Sequence, residues 1–229
     1  MVLLYTLLST VVSSVRLARG DDPAVLINSV KGTQDIVSAR ANDVLETLAV
    51  KGRAPSNDYR RSEFGEGWLE SAGCDTRNRI LVRDMTDVTL GSDDCVVLSG
   101  TLVDPYTEKT IIFQRGAETS PLVQIDHVVS LSDAWQKGAK SMDAATREQF
   151  ANDQLNLLAV DGASNQAKGN ADAASWLPPA KGYRCRYVAR QIAVKAMYAL
   201  WVTDAEKVAM KRVLLTCPDQ VLPLQRSQL

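Results

Sequence analysis

The chain has 229 residues, 45% of them hydrophobic and 23% charged, with a formal net charge of −1. That length and composition supply a buried core and exclude an intrinsically disordered chain. The balanced charge excludes a global basic field that would coat polyanions, so any contact with nucleic acid must come from a local patch.

Residues 1–20 open with the apolar run MVLLYTLLSTVVSSV, too short for a stable membrane span. It suits either the hydrophobic region of an export signal lacking its positive leader or an amphipathic helix packed on the domain. Residues 21–58 read as a helical extension and linker. AVLINSV and ANDVLETLAV space apolar residues by three and four, and KGRAPSNDYRR is a turn-rich connector carrying Pro55. Residues 59–229 form the main domain, predicted to be α+β. NRILVRDM, CVVLSGTLVD and KTIIFQRG predict short strands. LSDAWQKGAKSM and AATREQFAND predict helices, LNLLAV a strand, and DGASNQAKGNADAASWLP a loop entering a helix. The stretch from Arg186 to Cys217 is predicted helical throughout. Trp68, Trp135, Trp176 and Trp201 are expected to anchor the core rather than to stack on bases.

The four cysteines, Cys74, Cys95, Cys185 and Cys217, contain no C-x-x-C pair, which argues against structural zinc. Their even number suits two disulfides. Three pairings are possible, and local closure favours Cys74–Cys95 with Cys185–Cys217. Four buried thiols in a reducing cytosol is the alternative. Disulfides and an export signal support each other, so the expected location is secreted or cell-envelope, with the cytoplasm as the other option.

His127, the single histidine, follows Asp126 at the end of an apolar run, QIDHVV. A buried Asp-His pair is costly unless it is bonded to something. Asn156 opens the next strand, Asn165 sits at the turn into a helix, and Lys168 lies one helical turn on. Two strands and a helix turning these groups into one hollow would hold a hard divalent ion on Asp and Asn oxygens. An imidazole beside that ion would take a proton from water.

These motifs carry a resemblance. QIDHVVSLSDAWQKGA, FANDQLNLLAVDGASNQAKG and SWLPP resemble the HNH nuclease motif of the ββα-metal superfamily. More narrowly they resemble actinobacterial HNH endonuclease-like proteins related to the C-terminal domain of the GmrSD restriction endonucleases. FGEGWLESAGCDTRNRILVRDM, CVVLSGTLVDPYTEKTIIFQRG and YRCRYVARQIAVKAMYALWVT extend the likeness, so that it runs from about Arg61 to Cys217. The resemblance implies a ββα-metal core at about residues 121–177, with His127 as general base and Asp126 and Asn165 as metal ligands. It implies that Asn156 braces the loop and helps orient His127, and that Lys168 meets a phosphate. Asn165 in the third motif position favours Mg²⁺ or Mn²⁺ over Zn²⁺. The competing role for Asn165 is a helix N-cap. Arg61, Arg77 and Arg115 are candidate phosphate contacts, with a structural pairing to Asp84 the alternative for Arg77.

The expected function is therefore metal-dependent hydrolysis of phosphodiester bonds in nucleic acid, with DNA the favoured substrate and Mg²⁺ the favoured ion. No obligate protein partner is evident. The alternatives are a catalytically silent secreted binding module on the same fold and an intracellular restriction-type nuclease subunit.

Overall fold

The computed structural model describes residues 39–223. The expectations for residues 1–20 and for 21–38 lie outside the described residues. Helix α1, Ala41–Thr47, buries Ala41, Val44 and Leu45 in the same core as the C-terminal helices. A short pair, β1 (Glu70–Ser71) and β2 (Cys74–Asp75), leads into α2, Thr76–Asp84. The sequence NRILVRDM was expected to be a strand and is mostly helix. Asp75 decides this: its carboxylate accepts from the Asn78 amide at 2.7 Å, an N-cap that starts the helix. Thr76 and Ile80, one turn apart, then fall on one buried face with Leu81.

Strands β3 (Thr86–Leu90), β4 (Val97–Val103) and β5 (Thr110–Gln114) form an antiparallel sheet in sequence order. The strands expected from CVVLSGTLVD and KTIIFQRG lie here. Val97, Leu102 and Phe113 face Ile80, Leu81 and Met85 of the α2 segment, making the smaller of two cores.

A second antiparallel pair joins the two cores. It consists of β6 (Val123–His127) and, after α3 (Leu131–Gln136) and α4 (Ala144–Asn152), β7 (Leu157–Asp161). Side chains alternate across it. Val123, Ile125, Leu157 and Ala159 enter the smaller core, and Leu158 and Val160 the larger. Helix α5, Gly162–Lys168, follows at once, so the order is strand, strand, helix. The loop expected before this helix does not exist, because Asp161 caps it directly by accepting from the Ser164 amide at 2.8 Å. The loop comes afterwards.

The C-terminal stretch is two helices, α6 (Arg184–Met197) and α7 (Asp204–Leu214), not one. Between them Ala199 adopts a positive φ of 49°, and Thr203 caps α7 on the Glu206 amide. Both helices pack into the larger core with Phe64, Trp135 and Phe150.

That core also contains a buried ionic cluster that the sequence did not disclose. Lys137 contacts Asp133, Asp172 and Glu206 at 2.6–2.8 Å, and Lys195 contacts Asp133 and Glu206. Arg53 completes three cations against three carboxylates. Burial opposes the charge on Asp133, but Lys195 and Lys137 hold its pKa at about 2. Cys74–Cys95 and Cys185–Cys217 are disulfides, the locally closed pairing. Among the described residues, no helix is long and apolar enough to cross a membrane.

Candidate active site

His127 ends β6, on the same face as Val123 and Ile125. The residue is 7% exposed, and its ring lies parallel to the indole of Trp68, with centroids 5.8 Å apart and planes 9° apart. The ring Nε2 is 2.9 Å from the carbonyl oxygen of Ala151. A carbonyl only accepts, so Nε2 carries the proton and Nδ1 is left with its lone pair. Among the described residues, Nδ1 has no hydrogen-bond partner.

The ring borders a cavity of about 260 Å³ whose walls include Arg61, Gly65, Gly67, Trp68 and Leu131. Burial, together with the nearby charges of Arg61 and Lys168, lowers the imidazole pKa to about 3, so the ring is neutral across the physiological range.

Asp126, Asn165 and Lys168 lie on the other face of the strand pair. The Lys168 ammonium is 2.8 Å from Asp126 Oδ1 and 2.9 Å from the His127 carbonyl oxygen. The Tyr106 hydroxyl donates to Asp126 Oδ2 at 2.5 Å. Burial pushes the Asp126 carboxyl above its ordinary value, against the opposing pull of Lys168 and Tyr106. Asn165 is in the middle of α5 and donates to Gln124 Oε1 at 2.9 Å. Its expected alternative role as N-cap belongs to Asp161.

The expected hollow holding Asp126, Asn165 and His127 together is thus not assembled. Strand alternation sends residues 126 and 127 to opposite faces. A divalent ion does not fit the donors as they stand, because both Asp126 oxygens are engaged, one of them by a cation. Among the described residues, no three His, Cys, Asp or Glu side chains cluster as a metal site.

Asn156 is fully buried and its amide grips the loop after His127. Its Oδ1 accepts from the Val129 amide at 2.9 Å, and its Nδ2 donates to the Val129 carbonyl at 3.2 Å. Of the three arginines, only Arg61 borders the cavity. Arg77 donates to the Val123 carbonyl instead of pairing with Asp84, which Arg83 holds. Arg115 ties the Val97 carbonyl to the Asn78 side chain. Trp135 lies in the core and Trp176 packs against it, while Trp201 stacks under Lys51.

Sequence reasoning missed Trp68 as the platform under His127, and Tyr106 as a partner of Asp126. The grouping of Arg, Gly and Trp in RRSEFGEGW was a legible signal for the first. Nothing in DPYTEK signalled a fully buried tyrosine.

The model of the C-terminal domain of the GmrSD restriction endonucleases matches residues 75–213, more than half of the chain. A protein of Arthroderma benhamiae, described as an uncharacterized secreted protein, is 39% identical over 183 residues, covering 79% of this chain and 86% of its own. No solved structure matches. Matched over Asp75 to Val213, through β6, β7 and α5, the chain belongs to the family of the GmrSD restriction endonuclease C-terminal domain.

Proposed function

We propose that the protein hydrolyses phosphodiester bonds of nucleic acid, with DNA the favoured polymer, and that His127 is the general base. One observation carries this reading: His127, whose Nδ1 keeps a lone pair while Nε2 is bonded to the Ala151 carbonyl, lines one cavity together with Arg61. A water there would lose its proton to Nδ1 and attack phosphorus. The P–O bond to the leaving oxygen would break, and that oxygen would take up a proton from the imidazolium or from solvent. Arg61 would bind a nonbridging oxygen and stabilise the charge that grows on it.

The low pKa of His127 makes the free ring a weak base. A phosphate that enters beside Arg61 offsets the guanidinium charge and raises ring basicity when substrate is bound. The strand–strand–helix order of β6, β7 and α5 supports a core of the ββα-metal type, and the narrower likeness to actinobacterial endonucleases belongs to this same reading. The two disulfides and the fungal relative described as secreted support an extracytoplasmic location.

A second reading has an observation in its favour. Asp126 is engaged by Lys168 and Tyr106, as expected of a nuclease fold kept as a silent binding module. A plasmid-nicking assay with Mg²⁺, and again with chelator, separates the two. Cleavage that is lost in His127→Ala while DNA binding persists supports the enzyme. Absence of cleavage in both conditions, with DNA binding intact, supports the silent module.

A further inference from the structure

The cation that neutralises Asp126 is a side chain of the protein itself. Lys168 Nζ is 2.8 Å from Asp126 Oδ1, and its side chain is fully buried. The second oxygen accepts from the buried Tyr106. A divalent ion would need oxygen ligands at about 2.0–2.6 Å and several of them. An ion bonded to Oδ1 from the open side of the carboxylate would lie against the ammonium, a like-charge contact in a site sheltered from water. Asn165 is tied through its Nδ2 to Gln124 Oε1 at 2.9 Å and makes no hydrogen bond to Asp126.

We infer that Lys168 is the resident cation of Asp126, that it and a divalent metal exclude one another there, and that it acts as a positioning residue for His127 through the His127 carbonyl. The sequence K168–D126 is thus an internal ion pair in the place where a metal seat was expected. Tyr106, Asp126 and Lys168 form a continuous chain of bonds ending on the backbone of the base. The phosphate-facing positive charge is then Arg61, on the other face. The exclusion of a divalent ion by Lys168 does not depend on whether the chain cleaves nucleic acid, whereas the positioning of His127 as a base rests on the nuclease reading.

The probe is Mn²⁺ alone, followed by its paramagnetic resonance signal, on the full chain. Wild type should show no Mn²⁺ site that Asp126→Asn removes. Lys168→Met keeps the length of the side chain and removes its charge. It should gain Mn²⁺ affinity by roughly tenfold or more, equivalent to about 1.4 kcal/mol, and lose that gain in the double variant with Asp126→Asn. Lys168→Gln serves as a second charge-removing variant, and melting curves identify any variant that does not fold. A folded Lys168→Met whose Mn²⁺ affinity is unchanged or weaker overturns the inference. If neither lysine variant folds, wild type and Asp126→Asn decide it. Equal Mn²⁺ uptake by the two supports the inference, and uptake lost in Asp126→Asn overturns it. A negative plasmid assay would count against the nuclease reading and leave the Mn²⁺ result standing.

Discussion

The acid–base behaviour of His127 is set by what surrounds the ring. Stacked on Trp68 and buried beside Arg61 and Lys168, it stays neutral down to about pH 3, against an ordinary value of 6.5. The pH profile expected of kcat/KM is therefore flat through the usual histidine range, because that parameter reports groups of the free enzyme. A rising limb near the ordinary histidine value in an initial-rate series would contradict the buried, neutral ring. Stability should show the shift as well. Between the two values the unfolded chain takes up a proton that the folded one does not, so stability rises with pH across that window. The slope from this residue is at most about 1.4 kcal/mol per pH unit, and the contribution vanishes above the unfolded value. Denaturant unfolding of wild type and His127→Gln, compared at several pH values, isolates it. The comparison cancels the opposite-signed contribution of Asp126, whose raised pKa lowers stability as pH rises.

At the scale of elements, the β6–β7 pair is a partition. Its alternation sends His127 towards Trp68 and Asp126 towards α5, and it separates the two cores. Asn156 fixes the loop that connects β6 to α3, through both atoms of its amide. Asn156→Ala leaves the buried Val129 N–H and C=O without partners and should destabilise the fold by about 2–4 kcal/mol. Chemical denaturation measures the loss. If the residue also orients His127, kcat of the folded variant should fall with little change in KM; equal values in both parameters for variant and wild type would confine Asn156 to bracing the loop.

For the whole molecule, the disulfides staple segments that do not include His127 or Arg61. Cys74–Cys95 closes a loop of 21 residues beside the sheet, and Cys185–Cys217 one of 32 residues around α6 and α7. Each should stabilise by about 3–4 kcal/mol on the chain-entropy estimate. Reduction should lower the melting temperature markedly while His127, Trp68 and Arg61 keep their arrangement at temperatures where the chain stays folded. Calorimetry with and without reductant, paired with Trp fluorescence, tests this. A melting temperature insensitive to reductant would contradict the assignment. The ionic cluster around Lys137 works from inside the larger core. It balances three cations against three carboxylates drawn from distant parts of the chain, so it forms only once α3, α6 and α7 have docked.

The sequence by itself determined the mixed α+β class, the strands at CVVLSGTLVD, KTIIFQRG and LNLLAV and the helix at AATREQFAND, and it favoured the local cysteine pairing among three. Each rests on short-range pattern or short loop closure, which the chain carries wherever it goes. It also singled out His127, because a lone histidine after an aspartate in an apolar run needs a bonded partner. Local chemistry that was legible but misread accounts for α2 and α5, where Asp75 and Asp161 cap helices in stretches read as strand and loop. Tertiary structure alone decided which polar groups meet. Asp126 and His127 are adjacent in sequence, yet the two-residue period of a strand places them on opposite faces. Lys168, expected to meet a phosphate, reaches Asp126 because α5 packs on that face. Trp68 and Arg61 reach His127 from about sixty residues upstream, a distance over which no local pattern in the sequence carries information.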